Sequence, residues 1–345
     1  MEPRGPLLGH SDVPLSSAYD LAMLDLDGVV YIGSHAVLGA PEQLARVRAA
    51  GIRCAFITNN ASRSPRTVAE HLRELGVAAD EGDVVTSAQA AARLLADRLP
   101  SSAPVAVLGA EALADEVRAA GLTPVDVEAP EAQALVSGYG PEVLWREVMR
   151  AAVRVREGLW WVASNTDGSI PTSYGVAPGH GVLVETVRRF AGVSPVVAGK
   201  PARHLLDETV RRVGGERPLM VGDRLDTDIA GAVNAGVDSL LVLTGVTALA
   251  ELVGARPEER PTYIAPDLGG MLTAHERPEQ SAAETRSGGW RLTVSRGRLE
   301  VSGEGSVDDW WRGLACAAWA HLDSTGRPIR TDGLTVPAEV AAGER

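Results

Sequence analysis

Five short apolar runs separated by amphipathic stretches constrain this chain more than any other feature. LAMLDLD (21–27), RCAFITNN (53–60), PVVAGK (195–200), RPLMVGD (217–223) and SLLVLTG (239–245) read as buried strands. Between most of them lie segments such as APEQLARVRAAG and RTVAEHLRELG, with apolar residues at helical spacing and a closing glycine. Strand–helix alternation of this kind predicts an α/β fold, a doubly wound parallel sheet of Rossmann-like type. Such sheets bind ligands outside the C-terminal ends of their strands.

Far more chain separates Asn60 from Lys200 than one crossover helix needs. PVAVLGAEALADEVRAAG, ALVSGYG and LWWVASNTDGSIPT repeat the strand–helix pattern inside it. The expected organisation is a core of residues 15–84 and 195–270, with an inserted α/β cap over 85–194. Residues 271–288, including the polar RPEQSAAETRSG, read as a linker. Beyond it, 289–345 form a small α+β C-terminal module. There WRLTVSRGRLEV alternates like a hairpin, and SVDDWWRGLACAAWAHL opens with a capping-box-like Ser306-x-x-Asp309. Four of the seven tryptophans lie in this module, as a folded segment would have them.

Composition narrows the function classes. A net charge of −12 leaves no basic stripe to neutralise a nucleic acid, although a local site can still attract small anions. No apolar stretch reaches the ~18 residues of a membrane span. The N-terminal residues lack a basic segment followed by an apolar one, so no secretion signal is expected. Cys54 and Cys316 sit in apolar runs far apart, as buried thiols of a cytoplasmic protein would.

Four of the strands end in polar residues: Asp25-Leu26-Asp27-Gly28, Thr58-Asn59-Asn60, Gly199-Lys200-Pro201 and Gly222-Asp223-Arg224-Leu225-Asp226-Thr227-Asp228. Period-2 spacing puts Asp25 and Asp27 on one face of an extended strand end, roughly 6–7 Å apart. Carboxylates that close repel unless a cation or a shared proton intervenes. Asp223 and Asp228 can complete an oxygen-rich site, and hard oxygen donors without His or Cys point to Mg²⁺. Asp226 reads as an acid at a helix start and takes no role. Of the 33 Lys and Arg residues, all but Lys200 are arginine. A compact ammonium suits a small anionic site where a guanidinium fork is bulky. Thr58 and the amides that follow it can donate to phosphoryl oxygens.

The order DLDGVV, ITNNAS, AGKP and VGDRLDTDI resembles the haloacid-dehalogenase-like superfamily of Mg²⁺-dependent aspartyl phosphatases. It is most similar to the branch of para-nitrophenylphosphatase, pyridoxal-phosphate and phosphoglycolate phosphatases, whose α/β cap lies between the second and third motifs. The resemblance spans about residues 20–270. It implies that Asp25 is the nucleophile and Asp27 the general acid and base. It further implies that Asp25, the Asp27 carbonyl, Asp223 and Asp228 hold Mg²⁺, and that Thr58, Asn59, Asn60 and Lys200 grip the phosphate. ASNTDGSIPTSYGVAPGHG looks like the family's specificity segment, with Asn165 and Asp167 as substrate-binding candidates. Pyridoxal-phosphate enzymes place a His shortly after the equivalent Asp, where this chain has GSIP with Ile170, which weakens that substrate.

AFITNNASRS, AGKPA, MVGDRLDTDIAGA and RPTYIAPDL further resemble the actinobacterial glycerol 3-phosphate phosphatases, which carry a truncated acetyltransferase-like appendage. The expected substrate is therefore a small phosphomonoester, glycerol 3-phosphate first, with 2-phosphoglycolate or another small phosphometabolite as the alternative. A phosphometabolite-binding or regulatory module is the reading from another class. No glycine-rich pyrophosphate loop occurs in 289–345, so an interaction or stabilising role is expected there. Caps of this branch often mediate homodimers, and no feature of the sequence compels one.

Overall fold

The computed structural model describes residues 7–172, 175–281 and 283–337. The chain forms two compact units, 1–54 with 215–345, and 55–214. The division falls inside the strand Arg53–Thr58.

In the first unit the strands Tyr263–Ala265, Asp238–Val242, Pro218–Gly222 and Leu21–Asp25 lie side by side in that order, all parallel. They are buried on both faces, as the continuous apolar runs require. The strand ends aim the Asp25 and Gly222 segments at the same edge, with Leu24 paired to Val221. The expected helix after the first strand is Ala40–Ala49, with Pro41 in its first turn.

The tail belongs to this unit. Trp290–Ser295 and Arg298–Gly303 form the expected hairpin, and the Ser306 side chain caps Val307–Thr325 by accepting from the Asp309 N–H. The segment read as a linker is partly sheet: Glu279–Gln280 and Thr285–Ser287 extend the hairpin to four antiparallel strands. Its polar residues hid this, because Thr285 and Ser287 are the buried alternate positions and neither is apolar.

Trp310, Trp319, Leu314 and Ala318 on the long helix share one apolar cluster with Leu241, Leu252, Ile264 and Ile229. Trp319 donates from Nε1 to the Leu252 carbonyl at 2.7 Å. Asp323 pairs with both terminal nitrogens of Arg260, at 2.8 and 2.9 Å.

The second unit pairs Arg53–Thr58 with Val84–Thr86 in parallel. Its own five-stranded parallel sheet has the order Val196–Val197, Trp160–Ala163, Ala134–Ser137, Pro104–Leu108, Thr123–Val125. The helices Trp145–Arg156 and His180–Ala191 pack their Val148, Ala151, Val155, Val184 and Val187 against Leu135 and Trp161. PVVAGK thus supplies the edge strand of this sheet, two residues beyond the expected end of the cap. Only Val196 and Val197 pair, against Val162 and Ala163, so the run is too short for its pattern to reveal which sheet it joins. Among the described residues no helix is long and apolar enough to cross a membrane, and Cys54 and Cys316 are buried and form no disulfide.

The Arg260–Asp323 pair ties the tail helix to the segment after Leu252, with side chains only 8% and 14% exposed. Removing one partner of such a pair leaves a buried charge and costs about 3–5 kcal/mol. Asp323→Ala is expected to lose about that much in urea unfolding; a loss below about 1 kcal/mol would show the pair to be solvated and inert.

Candidate active site

In the first unit, Asp25, Asp223 and Asp228 each offer a carboxylate oxygen within 4.8 Å of the other two. Asp223 and Asp228 are almost fully buried, while Asp25 is half-buried at its strand end. Two like charges at that range repel by about 3–4 kcal/mol at an effective dielectric near 20, and three pairs share the cluster. An all-oxygen donor set of this kind fits a hard divalent cation such as Mg²⁺. The Asp27 carboxyl is not part of the cluster. It sits exposed in the tight turn that follows, where Leu26 accepts from Val30 and Gly28 donates to the Tyr31 carbonyl.

Backbone geometry builds the cluster. Residues Leu225–Ile229 form a π-helical turn, which swings Asp228 back so that its Oδ2 accepts from the N–H groups of Asp223 and Arg224, each at 3.1 Å. Asp223 Oδ2 in turn accepts from the Val246 N–H at 2.6 Å. A Cβ at Gly222 would collide with the Asp228 carboxyl, and one at Gly245 with the Asp223 carboxyl. Thr244 closes the same corner by donating to the Gly28 carbonyl at 2.5 Å. Thr244, Gly245 and Val246 escaped the sequence reading, although the first two close SLLVLTG, Val246 follows it, and the strand-end rule that located the other motifs applies equally to them. Asp226, given no role, pairs instead with Arg224.

The second unit gathers Thr58, Asn59, Asn60, Asn165, Asp167 and Lys200. Lys200 is 2% exposed, a strong departure for the most solvated of cations. Its N–H donates to Asn59 Oδ1 at 2.8 Å, and its carbonyl accepts from Asn59 Nδ2 at 3.0 Å. The same Nδ2 donates to Asp167 Oδ1 at 3.0 Å. The Asn59 carbonyl accepts from Asn165 Nδ2 at 2.7 Å and from the Ser87 hydroxyl at 2.5 Å. Asn165 Oδ1 accepts from the Asp167 N–H at 3.1 Å. Thr58 Oγ1 accepts from the Asn60 N–H at 3.1 Å, so the hydroxyl's own proton can point to an anion. Asn60 Oδ1 caps the turn by accepting from both the Ser62 N–H and the Ser62 hydroxyl.

Two sequence profiles of haloacid dehalogenase-like hydrolases match residues 22–123 and 197–271. The D-glycerol 3-phosphate phosphatase of Mycobacterium tuberculosis is 42% identical over 329 residues, 92% of this chain and 91% of that protein. This chain belongs to the haloacid dehalogenase-like hydrolases. A crystal structure of the M. tuberculosis glycerol phosphate phosphatase in complex with magnesium superposes with a TM-score of 0.82 at 40% identity, covering 96% of this chain and 98% of that one. The acid sugar phosphatase of Staphylococcus saprophyticus is 33% identical and covers 75% of this chain and 99% of itself.

One titratable group of the hydrolase is set chiefly by burial, against an opposing hydrogen bond to Ser137. His180, 3% exposed at the start of its helix, lies 3.2 Å from Ser137 Oγ, which also accepts from Trp161 Nε1 at 2.9 Å. Desolvation of the imidazolium lowers its pKa to about 4. Between pH 6.5 and 4 the unfolded chain binds this proton and the folded one does not, so stability falls as pH falls through that window. By pH 4 the loss from this group reaches about 3 kcal/mol. His180→Gln is expected to flatten the fall in melting temperature over that window; an unchanged slope would show that His180 does not govern it.

Proposed function

We propose that this hydrolase is a Mg²⁺-dependent phosphomonoester phosphatase acting through an aspartyl-phosphate, with glycerol 3-phosphate as its substrate. The observation that carries the reading is the cluster of Asp25, Asp223 and Asp228, three carboxylates that a divalent cation would hold together, the motif's nucleophile Asp25 among them. The 42% identity to a D-glycerol 3-phosphate phosphatase supports the substrate.

Asp25 would attack phosphorus, forming its O–P bond as the ester P–O bond breaks. Asp27, exposed in its turn, would give its proton to the leaving alkoxide. It would then take a proton from the water that releases inorganic phosphate and restores the Asp25 carboxylate. Bound Mg²⁺ would neutralise charge on the carboxylates and on the phosphoryl group. Lys200 and the Thr58 hydroxyl would offset charge on the phosphoryl oxygens, where fixed donors contribute most to rate. The 33% identity to an acid sugar phosphatase supports a second reading, in which the same chemistry acts on a sugar phosphate.

Phosphate release across a panel holding glycerol 3-phosphate, 2-phosphoglycolate and hexose phosphates tests both. The expected result is a dominant kcat/KM for glycerol 3-phosphate, abolished by chelator and by Asp25→Asn, and lowered at least 100-fold by Lys200→Ala. A flat panel would overturn the substrate, and turnover surviving Asp25→Asn would overturn the mechanism.

A further inference from the structure

We infer that Asn59 is a positioning residue that sets the backbone of Lys200, and that the Asp167 carboxylate holds Asn59 in the orientation this requires. The inference rests on the role proposed for Lys200 and assigns to Asn59 a task other than direct phosphate binding.

The Asn59 amide group has two hydrogens to donate. One goes to the Lys200 carbonyl and one to Asp167 Oδ1, both at 3.0 Å, while Oδ1 accepts the Lys200 N–H at 2.8 Å. Both hydrogens are therefore spent, and a phosphate could draw on this side chain only by breaking the clamp. The clamp fixes the peptide groups on both sides of the Lys200 Cα, and with them the root of the ammonium-bearing chain.

Asp167 decides which way the amide faces. Ionised, it accepts only, so it selects Nδ2. With the amide reversed, Oδ1 would face a carboxylate and a carbonyl, and the two Nδ2 hydrogens would face the Lys200 N–H. The main chain of Asn59 is fixed independently by the Asn165 and Ser87 donors on its carbonyl. Gly199 makes the approach feasible: a Cβ there would stand 2.5 Å from Asn59 Oδ1 and 2.7 Å from the Ser164 carbonyl. Two segments more than 100 residues from Asn59 in sequence thus meet on its side chain.

Displacing a charge-stabilising group by even 1 Å can cost on the order of 100-fold in rate. The loss falls on kcat more than KM when the group acts chiefly on the transition state.

The experiment is steady-state phosphatase kinetics on Asn59→Asp, Asp167→Asn and the double variant, with Lys200→Ala alongside. Asn59→Asp sets two carboxylates against each other and is expected to lower kcat at least ten-fold with KM within about three-fold. The swapped pair restores a donor between the two positions and is expected to recover several-fold of that loss. Lowering pH lets the two carboxyls of Asn59→Asp share a proton, so its activity relative to wild type is expected to rise from pH 8 to 5.5. A wild-type kcat in Asn59→Asp, or a loss that the swap and the pH change leave untouched, would overturn the inference. Should Asn59→Asp fail to fold, Asn59→Ser, which keeps no two-sided clamp, carries the same expectation for kcat and KM, and a wild-type kcat there would equally overturn it. Near-normal turnover in Lys200→Ala would instead overturn the role given to Lys200, whatever Asn59 does.

Discussion

Mutual repulsion among Asp25, Asp223 and Asp228 is the constraint on which the first unit's active-site end depends. No fold brings three carboxylates within 4.8 Å without cost. Here the backbone is arranged to tolerate it. The π-helical turn gives Asp228 two amide donors, Val246 gives Asp223 another, and glycines at 222 and 245 leave room for the side chains to pass close to the main chain. Backbone dipoles offset part of the charge, and the remainder is what a divalent cation supplies. A site built this way stores its affinity in like charges held together, and a neutral substitution would relieve that repulsion while removing a ligand.

The second unit meets the opposite demand. A buried ammonium needs fixed polar surroundings, and Lys200 has its backbone held from both sides by a single asparagine. That asparagine is secured in turn by the Asp167 carboxylate. Asp167 and the Lys200 backbone therefore share hydrogen bonds on one side chain, so a change in one reaches the other through Asn59.

Much of this was legible in the sequence because strand ends carry chemistry in parallel sheets, and DLDG, TNN, AGKP and GDRLDTD are each too polar to end a buried strand by chance. The helix caps and the tail hairpin were legible for the same local reasons. What escaped depended on distance or on weak pattern. Two residues, Val196 and Val197, cannot announce which sheet they join. Thr285 and Ser287 are buried alternate positions filled by small polar side chains, so the strand reads as a linker. The fastening of the tail to the first unit through Trp319, Arg260 and Asp323 spans more than 60 residues and has no local signal. The Asn59 clamp is the clearest case. The motif marks Asn59 as important, but only the folded chain shows its donors committed to Lys200 and Asp167.

The most direct test of the carboxylate cluster is calorimetric titration of the full chain with Mg²⁺, in wild type and in Asp223→Asn. The prediction is one Mg²⁺ bound per wild-type chain, with affinity at least ten-fold weaker in the variant although its fold is intact. Equal affinity in the two proteins, or no binding in either, would contradict a cation held by Asp25, Asp223 and Asp228.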